Sequence, residues 1–237
     1  MQSLYGAIAN TNKKEIMVSI DNVYQKVLAL TNKEQRGYIT PQEFNLLADH
    51  AQMGIFEQYF YDLEQRQRGV GNELDYGDII SSIEEKISMF EIANFGVGAQ
   101  ANGELLISND ISSSSLTELY RLGSVNIKYT TEANFTTADQ VQLNEINKYE
   151  NSPLAAPTKS NPVYTKFSSV DVPVIIKIYP QVTPSVDIVN VSYITKPKTP
   201  NWTYMISNGS NALYNPNASG HQNFQLHASE ENNLVIK

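Results

Sequence analysis

The runs Leu119-Tyr120-Arg121-Leu122 and Val125-Asn126-Ile127-Lys128-Tyr129 decide the fold class. They open a stretch from Leu116 to Tyr204 that holds three more strand-like runs, Pro162 to Phe167, Val174 to Tyr179 and Val186 to Ile194. All are rich in β-branched and aromatic residues and are cut by Pro, Gly, Asn and Ser, the composition of strands and turns. Between them, Ala138 to Tyr149 carries Val141, Leu143, Ile146 and Tyr149, which predicts a short, partly amphipathic helix. In the last run the apolar phase changes. Val186 and Ile188 share one face and Val189, Val191 and Tyr193 the other, so either both faces are buried or a bulge sits near Ile188 and Val189.

Upstream the period is that of helices. Ile20, Val23, Tyr24, Val27 and Leu28 recur along one face after Ser19, a candidate N-cap, and predict a helix from Ile20 to Leu30. Thr40-Pro41-Gln42-Glu43 has the form of a capping box with proline at the first helical position. Phe44, Leu47, Ala48, Ala51, Ile55, Phe56, Tyr59 and Phe60 then continue the helix for about five turns. Arg66 to Asn72 reads as a turn, and Ile79, Ile80, Ile83, Ile87 and Phe90 mark a third helix from Tyr76 to Phe90. Short connections between three helices suggest an antiparallel bundle.

Downstream, Lys196-Pro197-Lys198-Thr199-Pro200 stops the sheet's last long strand. Trp202 to Ile206 and Ala212 to Tyr214 flank Ser207-Asn208-Gly209-Ser210, a hairpin signal, and Phe224 and Leu226 alternate as a short last strand. Ser229-Glu230-Glu231 opens a helix that carries Leu234, Val235 and Ile236. About two turns are marginal alone, so this helix is expected to pack on something. The fold class is α+β: an N-terminal antiparallel helical bundle, a mostly antiparallel β-rich domain and a C-terminal helix. The expected divisions are a loose arm over 1–18, the bundle over 19–94, the β-rich domain with its helical insert over 95–227, and the start of the C-terminal helix over 228–237.

The 237 residues, 41% hydrophobic and 18% charged, are enough for a real core. The formal charge is −8, and 8 basic residues stand against 14 acidic ones up to Asn94. That leaves no basic surface for gripping nucleic acid; an acidic wall past which DNA slides suits the balance better. With no cysteine, disulfides, thiolate catalysis and cysteine-ligated zinc are excluded. No apolar run reaches the ~18 residues of a spanning helix, and Met1-Gln2-Ser3-Leu4 lacks a signal-peptide pattern. The expectation is a soluble protein. The N-x-S/T sequons at Asn134, Asn190, Asn201, Asn208 and Asn217 follow from the Asn/Ser/Thr-rich composition.

Motifs that carry chemistry are weak. Asn32 to Glu43 has the spacing of a calcium-binding EF-hand loop, with Gly37 sixth and Glu43 twelfth, but Asn32 stands where Asp belongs and Arg36 where a ligand belongs. The capping box accounts for Thr40 and Glu43. Gly96-Val97-Gly98-Ala99-Gln100-Ala101 satisfies a dinucleotide pattern, yet a helix precedes it and Asn102-Gly103 breaks any helix after it, so it reads as a flexible connector. His50, His221 and His227 lack the spacing of a metal site or a nucleophile elbow; His50 falls on a helix surface. Paired acids such as Glu84-Glu85 and Glu230-Glu231 fit solvated helix positions. No catalytic, cofactor-binding or metal-ligating residue is assigned. The aromatic run Glu57-Gln58-Tyr59-Phe60-Tyr61 exceeds what one helix face buries, and serves either a core with an amphipathic rim or a subunit interface.

One resemblance adds to this. Asn22-Val23-Tyr24, Arg36-Gly37-Tyr38-Ile39-Thr40-Pro41-Gln42-Glu43-Phe44-Asn45 and Ile55-Phe56-Glu57-Gln58-Tyr59-Phe60-Tyr61 resemble structural proteins of tailed bacteriophages. So do Leu119-Tyr120-Arg121-Leu122, Asn151-Ser152-Pro153-Leu154, Ala156-Pro157-Thr158, Pro162-Val163-Tyr164, Ile178-Tyr179-Pro180, Tyr193-Ile194-Thr195-Lys196-Pro197 and Pro200-Asn201-Trp202. From about Ile16 onward the chain is similar to the head-to-tail connector, or ring, proteins of crAss-like, short-tailed phages. The resemblance implies a virion neck protein assembled in the host cytoplasm. It would form a ring of about twelve copies beneath the portal protein, meeting other neck or tail ring proteins and letting DNA pass without specific binding. Family members continue with more helix past the equivalent of Asn232 to Lys237. The family brings no catalytic residues and no cofactor. Candidate subunit or portal contacts are Tyr59, Phe60, Tyr61, Leu234, Val235 and Ile236, and candidate channel-facing acids are Glu84, Glu85 and Glu91. Two other classes compete. A carbohydrate-binding or fibre-anchoring module would stack sugars on Tyr164, Tyr179 and Trp202, and a cell-wall hydrolase would need a carboxylate pair.

Overall fold

The computed structural model describes residues 17–33, 39–68, 74–100, 102–107, 119–168, 174–207 and 211–237. The chain is mixed α+β and divides into two compact units, Phe90–Lys196, and Met1–Met89 together with Pro197–Lys237.

The first of these is a sheet of seven strands: β1 (Glu91–Val97), β2 (Glu104–Leu105), β3 (Leu119–Lys128), β4 (Thr136–Gln140), β5 (Val163–Phe167), β6 (Ile175–Tyr179) and β7 (Ile188–Thr195). Their order is β1-β7-β3-β4-β5-β6-β2, antiparallel throughout except for β4 against β5. An Ala99↔Leu105 bridge, with Gln100 N donating to Glu104 O at 2.8 Å, joins the chain after β1 to β2. The two ends of the strand order therefore meet, and the sheet curls toward a closed barrel, which removes exposed edges. Strand alternation fills its interior. Val125 and Ile127 on β3, Ile176 and Ile178 on β6, and Val189, Val191 and Tyr193 on β7 are all buried in one cluster. Each such side chain contributes roughly 1.5–3 kcal/mol on leaving water.

Curvature has a local cause. The register of β7 slips against both neighbours at Ser192, between Ile92 and Phe95 on β1 and between Leu122 and Val125 on β3. Asn94 takes a left-handed φ of 55° in the first bulge, and Gly123 lies in the second. A Cβ on Gly123 would fall 2.9 Å from the Ser192 carbonyl oxygen. Two bulges opposite one residue bend the sheet where it curls.

The phase change expected near Ile188 has neither of the predicted causes. Val186 lies in a turn before the strand, Ile188 is exposed, and β7 alternates regularly from there on. Asp187 fixes that turn. It accepts from Thr183 N at 2.7 Å, Thr130 N at 2.9 Å and Thr130 Oγ1 at 3.1 Å, while Ser185 adopts a φ of 64°. Two further expectations change. Glu91–Val97, placed at the end of the helical bundle and the start of a connector, is a strand; Ala138 to Gln140, placed in the helical insert, belongs to β4, and the insert's helix α4 is Ile146–Glu150. Gly96 and Val97 pair with Asn190 and Val189 and Ala99 bridges Leu105, so the glycine-rich motif runs along the sheet and into β2.

The second unit contains α1 (Ile20–Lys33), α2 (Pro41–Arg68), α3 (Leu74–Ser88), the hairpin β8 (Tyr204–Ser207) and β9 (Asn211–Tyr214), a 3-10 turn (Ala228–Glu230) and α5 (Glu231–Ile236). The capping box starts α2: Thr40 N donates to Glu43 Oε2 at 2.9 Å, and Glu43 N donates to Thr40 Oγ1 at 3.3 Å. Helix α2 runs to Arg68, beyond the turn expected from Arg66. It packs on α3, and both α1 and α2 pack on α5. The segment 197–227, expected in the β-rich domain, belongs with these helices instead. Trp202, Phe224 and Leu226, each at most 2% exposed, complete the core made by Ile20, Tyr24, Phe44 and Phe56. Phe224 and Leu226 form no strand; their neighbours make single bridges, Asn201↔Gln222 and Met17↔His227. Of the loose arm expected over 1–18, Met17 instead bridges His227 and Val18, buried, donates to Leu226 O at 3.3 Å; residues 1–16, the middle of the calcium-like loop at 34–38 and the hairpin turn at 208–210 lie outside the described residues.

Candidate functional site

Polar side chains hold the C-terminal segment on the helices. Gln52 lies in the apolar stripe of α2, two turns after Asn45, so both amides face the same way. The Gln52 side chain is fully buried, donates to Lys198 O at 2.9 Å and accepts from Gln225 N at 2.9 Å. Asn45 accepts from Trp202 N at 2.8 Å and donates to Trp202 O at 3.2 Å. The Trp202 indole donates to Asp21 on α1 at 2.9 Å, and Ile20 N, free at the start of α1, donates to Asn223 Oδ1 at 3.1 Å.

A second polar group sits beside a cleft of ≈ 300 Å³ lined by Ile55, Tyr59, Lys86, Glu230 and Asn233 among others. Glu230, 3% exposed, accepts from Lys86 Nζ at 2.6 Å and from Asn233 Nδ2 at 2.6 Å. Burial works against its charge, but these bonds outweigh it and hold the carboxyl below its ordinary 4.5. The Tyr59 hydroxyl is buried near Glu230 without a partner in hydrogen-bond geometry, and burial together with that charge pushes it well above the usual tyrosine range. The Lys86 ammonium lies 5.6 Å from the Tyr59 ring centroid.

The candidate contact residues thus separate. Tyr59 and Leu234 are buried in this unit and make its own core, so they are not available as an outer contact surface; Phe60 and Val235 are half-buried. Tyr61, 64% exposed, and Ile236, 82% exposed, remain open. A groove of ≈ 170 Å³ between α1, α2 and α5 has Val27, Ile39, Leu47, Ala51 and Val235 in its walls, with Ile236 at its side. Leu46, 76% exposed, and Leu47, 58% exposed, extend this apolar surface along α2. Glu84 and Glu85 are exposed on α3, and Glu91 is exposed on β1 in the other unit.

Two of the three aromatic residues expected as sugar platforms are turned inward. Tyr164 is 5% and Trp202 2% exposed, and Trp202 is covered by the stacked rings of Tyr204 and Tyr214 and by Tyr24 at 4.4 Å. Tyr179 is half-buried on β6. His50 is exposed on α2, as its position predicts; the His227 ring accepts from Ser229 N at the 3-10 turn, and His221 lies between Thr203 and Tyr214. Sequence reasoning missed Asn45, Gln52 and Lys86, and it placed Glu230 at a solvated helix position, whereas the carboxylate is buried on Lys86 and Asn233. Gln52 left a signal, an amide at i+4 from Ala48 and i−3 from Ile55 in an otherwise apolar stripe. Lys86 and Glu230 left none, because 144 residues separate them.

No protein-family model matches the chain, and no curated protein is significantly similar to it. Among the described residues, no helix is long and apolar enough to cross a membrane.

Proposed function

We propose that the chain is a structural subunit of a bacteriophage neck, a head-to-tail connector whose copies form a ring under the portal protein and line part of the DNA exit path. The observation that carries the reading is the open apolar surface on α2 and α5. Leu46, Leu47 and Ile236 are more than half exposed around a preformed groove, the kind of patch that marks a protein contact. The sequence resemblance supplies the kind of assembly. Its work is binding without chemistry, with copies of itself, the portal and further neck or tail rings as partners. The exposed acids Glu84 and Glu85 on α3, and separately Glu91 on β1, suit walls that repel DNA and let it slide. Repetition around a ring makes individually weak contacts collectively strong.

Electron-microscope class averages and mass measurements of the purified protein, alone and mixed with the portal ring of the same phage, test this. Rings of about twelve copies seated on the portal are expected. A monomer that ignores the portal would remove the reading.

A further inference from the structure

We propose that the outer face of the β8–β9 hairpin, built on Met205 and Leu213, is where one copy of this chain docks on the next; this rests on the reading as a self-assembling subunit. The pleat sorts the hairpin's side chains. Tyr204 pairs with Tyr214 and Met205 with Leu213, so the tyrosines point to one face and Met205 and Leu213 to the other. The tyrosine face is turned inward, both rings stacking on Trp202 at 5.7 and 5.8 Å. The opposite face carries Met205 at 51% and Leu213 at 50% exposure, and Ile206 beside the tyrosines is 74% exposed. Among the described residues the hairpin pairs with no further strand, so each of its strands has one edge unpaired in that sheet. A pair of strands is marginal in water until something covers it.

Charge selects the occupant. All 17 basic and 25 acidic residues lie outside positions 199–229, a run of 31 residues around the hairpin. Depletion of charge, with aromatic residues and methionine present, is the composition of an interface core. Copies that each carry −8 repel one another, and like charges set face to face cost several kcal/mol. An uncharged surface is where such copies can meet. A sugar would need an aromatic platform, which this hairpin turns inward, whereas aliphatic side chains beside free strand edges suit a protein surface.

The test uses the full chain with Met205→Glu and Leu213→Glu together, against a control that adds two acids in the other unit, Leu143→Glu and Leu154→Glu, where the side chains are 54% and 100% exposed. Sedimentation velocity and mass photometry over a range of concentrations read the assembly. Wild type and control are expected to form the same oligomer, and the hairpin variant to associate at least about tenfold more weakly. Fluorescence of the single tryptophan, Trp202, checks that the inner face is intact. If that signal changes, Met205→Gln with Leu213→Gln is read in the same way. A hairpin variant that assembles like wild type overturns the docking face but leaves the connector reading standing. A wild type that stays monomeric overturns both.

Discussion

Glu230 shows how one residue's environment becomes a stability statement. Its carboxyl has a folded pKa below the ordinary 4.5, held there against burial by Lys86 and Asn233. A depressed carboxylate contributes stability that is present above the unfolded value and is lost as pH falls through the folded one. The chain should therefore lose stability on acidification below about 4.5, and Glu230→Gln should flatten that part of the profile. At neutral pH Glu230→Gln should also cost about 1–3 kcal/mol, because Lys86 keeps its charge without a carboxylate. Chemical denaturation of both proteins between pH 3 and 7 checks this; parallel profiles would remove the role. By contrast, Lys26 and Glu231, 3.0 Å apart with side chains 45% and 31% exposed, are worth at most about 1 kcal/mol. Gln52→Leu keeps the volume but leaves Lys198 O and Gln225 N without their side-chain partner. A loss of about 2–4 kcal/mol is expected, measurable as a lower denaturation midpoint with an unchanged slope.

At the scale of elements, the curled sheet depends on where its strands bend. Gly123 is the one glycine among the described ones where a Cβ would strike backbone closer than 3.0 Å, that of Ser192. Gly123→Ala should cost about 1–3 kcal/mol by forcing β3 away from β7. Hydrogen exchange should show faster opening of amides in both strands and little change in β5 and β6. Uniform protection across the sheet would mean that the bulge absorbs the extra carbon. The helix calls on a different balance. The start of α2 was legible because a capping box is a local arrangement, and its four residues appear with both hydrogen bonds made. The strands β3, β5, β6 and β7 were legible from β-branched and aromatic runs. Strand β1 was not, since Glu91-Ile92-Ala93-Asn94-Phe95-Gly96-Val97 has broken alternation, and a bulge at Asn94 is what lets it pair with β7. Ala138 to Gln140 likewise reads as helix by composition but is a strand because β3 and β5 lie on either side.

For the whole molecule, the helical unit is discontinuous, made of the chain's first part and its last. Trp202, Phe224, Leu226 and Leu234 are all buried there, and at roughly 1.5–3 kcal/mol each they contribute about 6–12 kcal/mol. That equals the whole stability of an ordinary domain, about 5–15 kcal/mol. Removing 197–237 should therefore leave 17–89 without protected amides, while the strands within 90–196 keep theirs; protection surviving in α2 would contradict this. From the sequence alone came the α+β class, the starts of α1 and α2, most strands, the hairpin and the C-terminal helix, together with the acidic, cysteine-free composition. These depend on neighbours a few residues apart, through capping, pleat and helical period. The tertiary structure alone decided that the curled sheet ends at Lys196 and that 197–237 returns to the helices. It also turned Tyr59, Leu234 and Trp202 inward, paired Lys86 with Glu230, and left Tyr61, Ile236 and the hairpin's outer face in solvent. Those outcomes depend on contacts between residues over a hundred positions apart, whose partners leave no periodic trace along the chain.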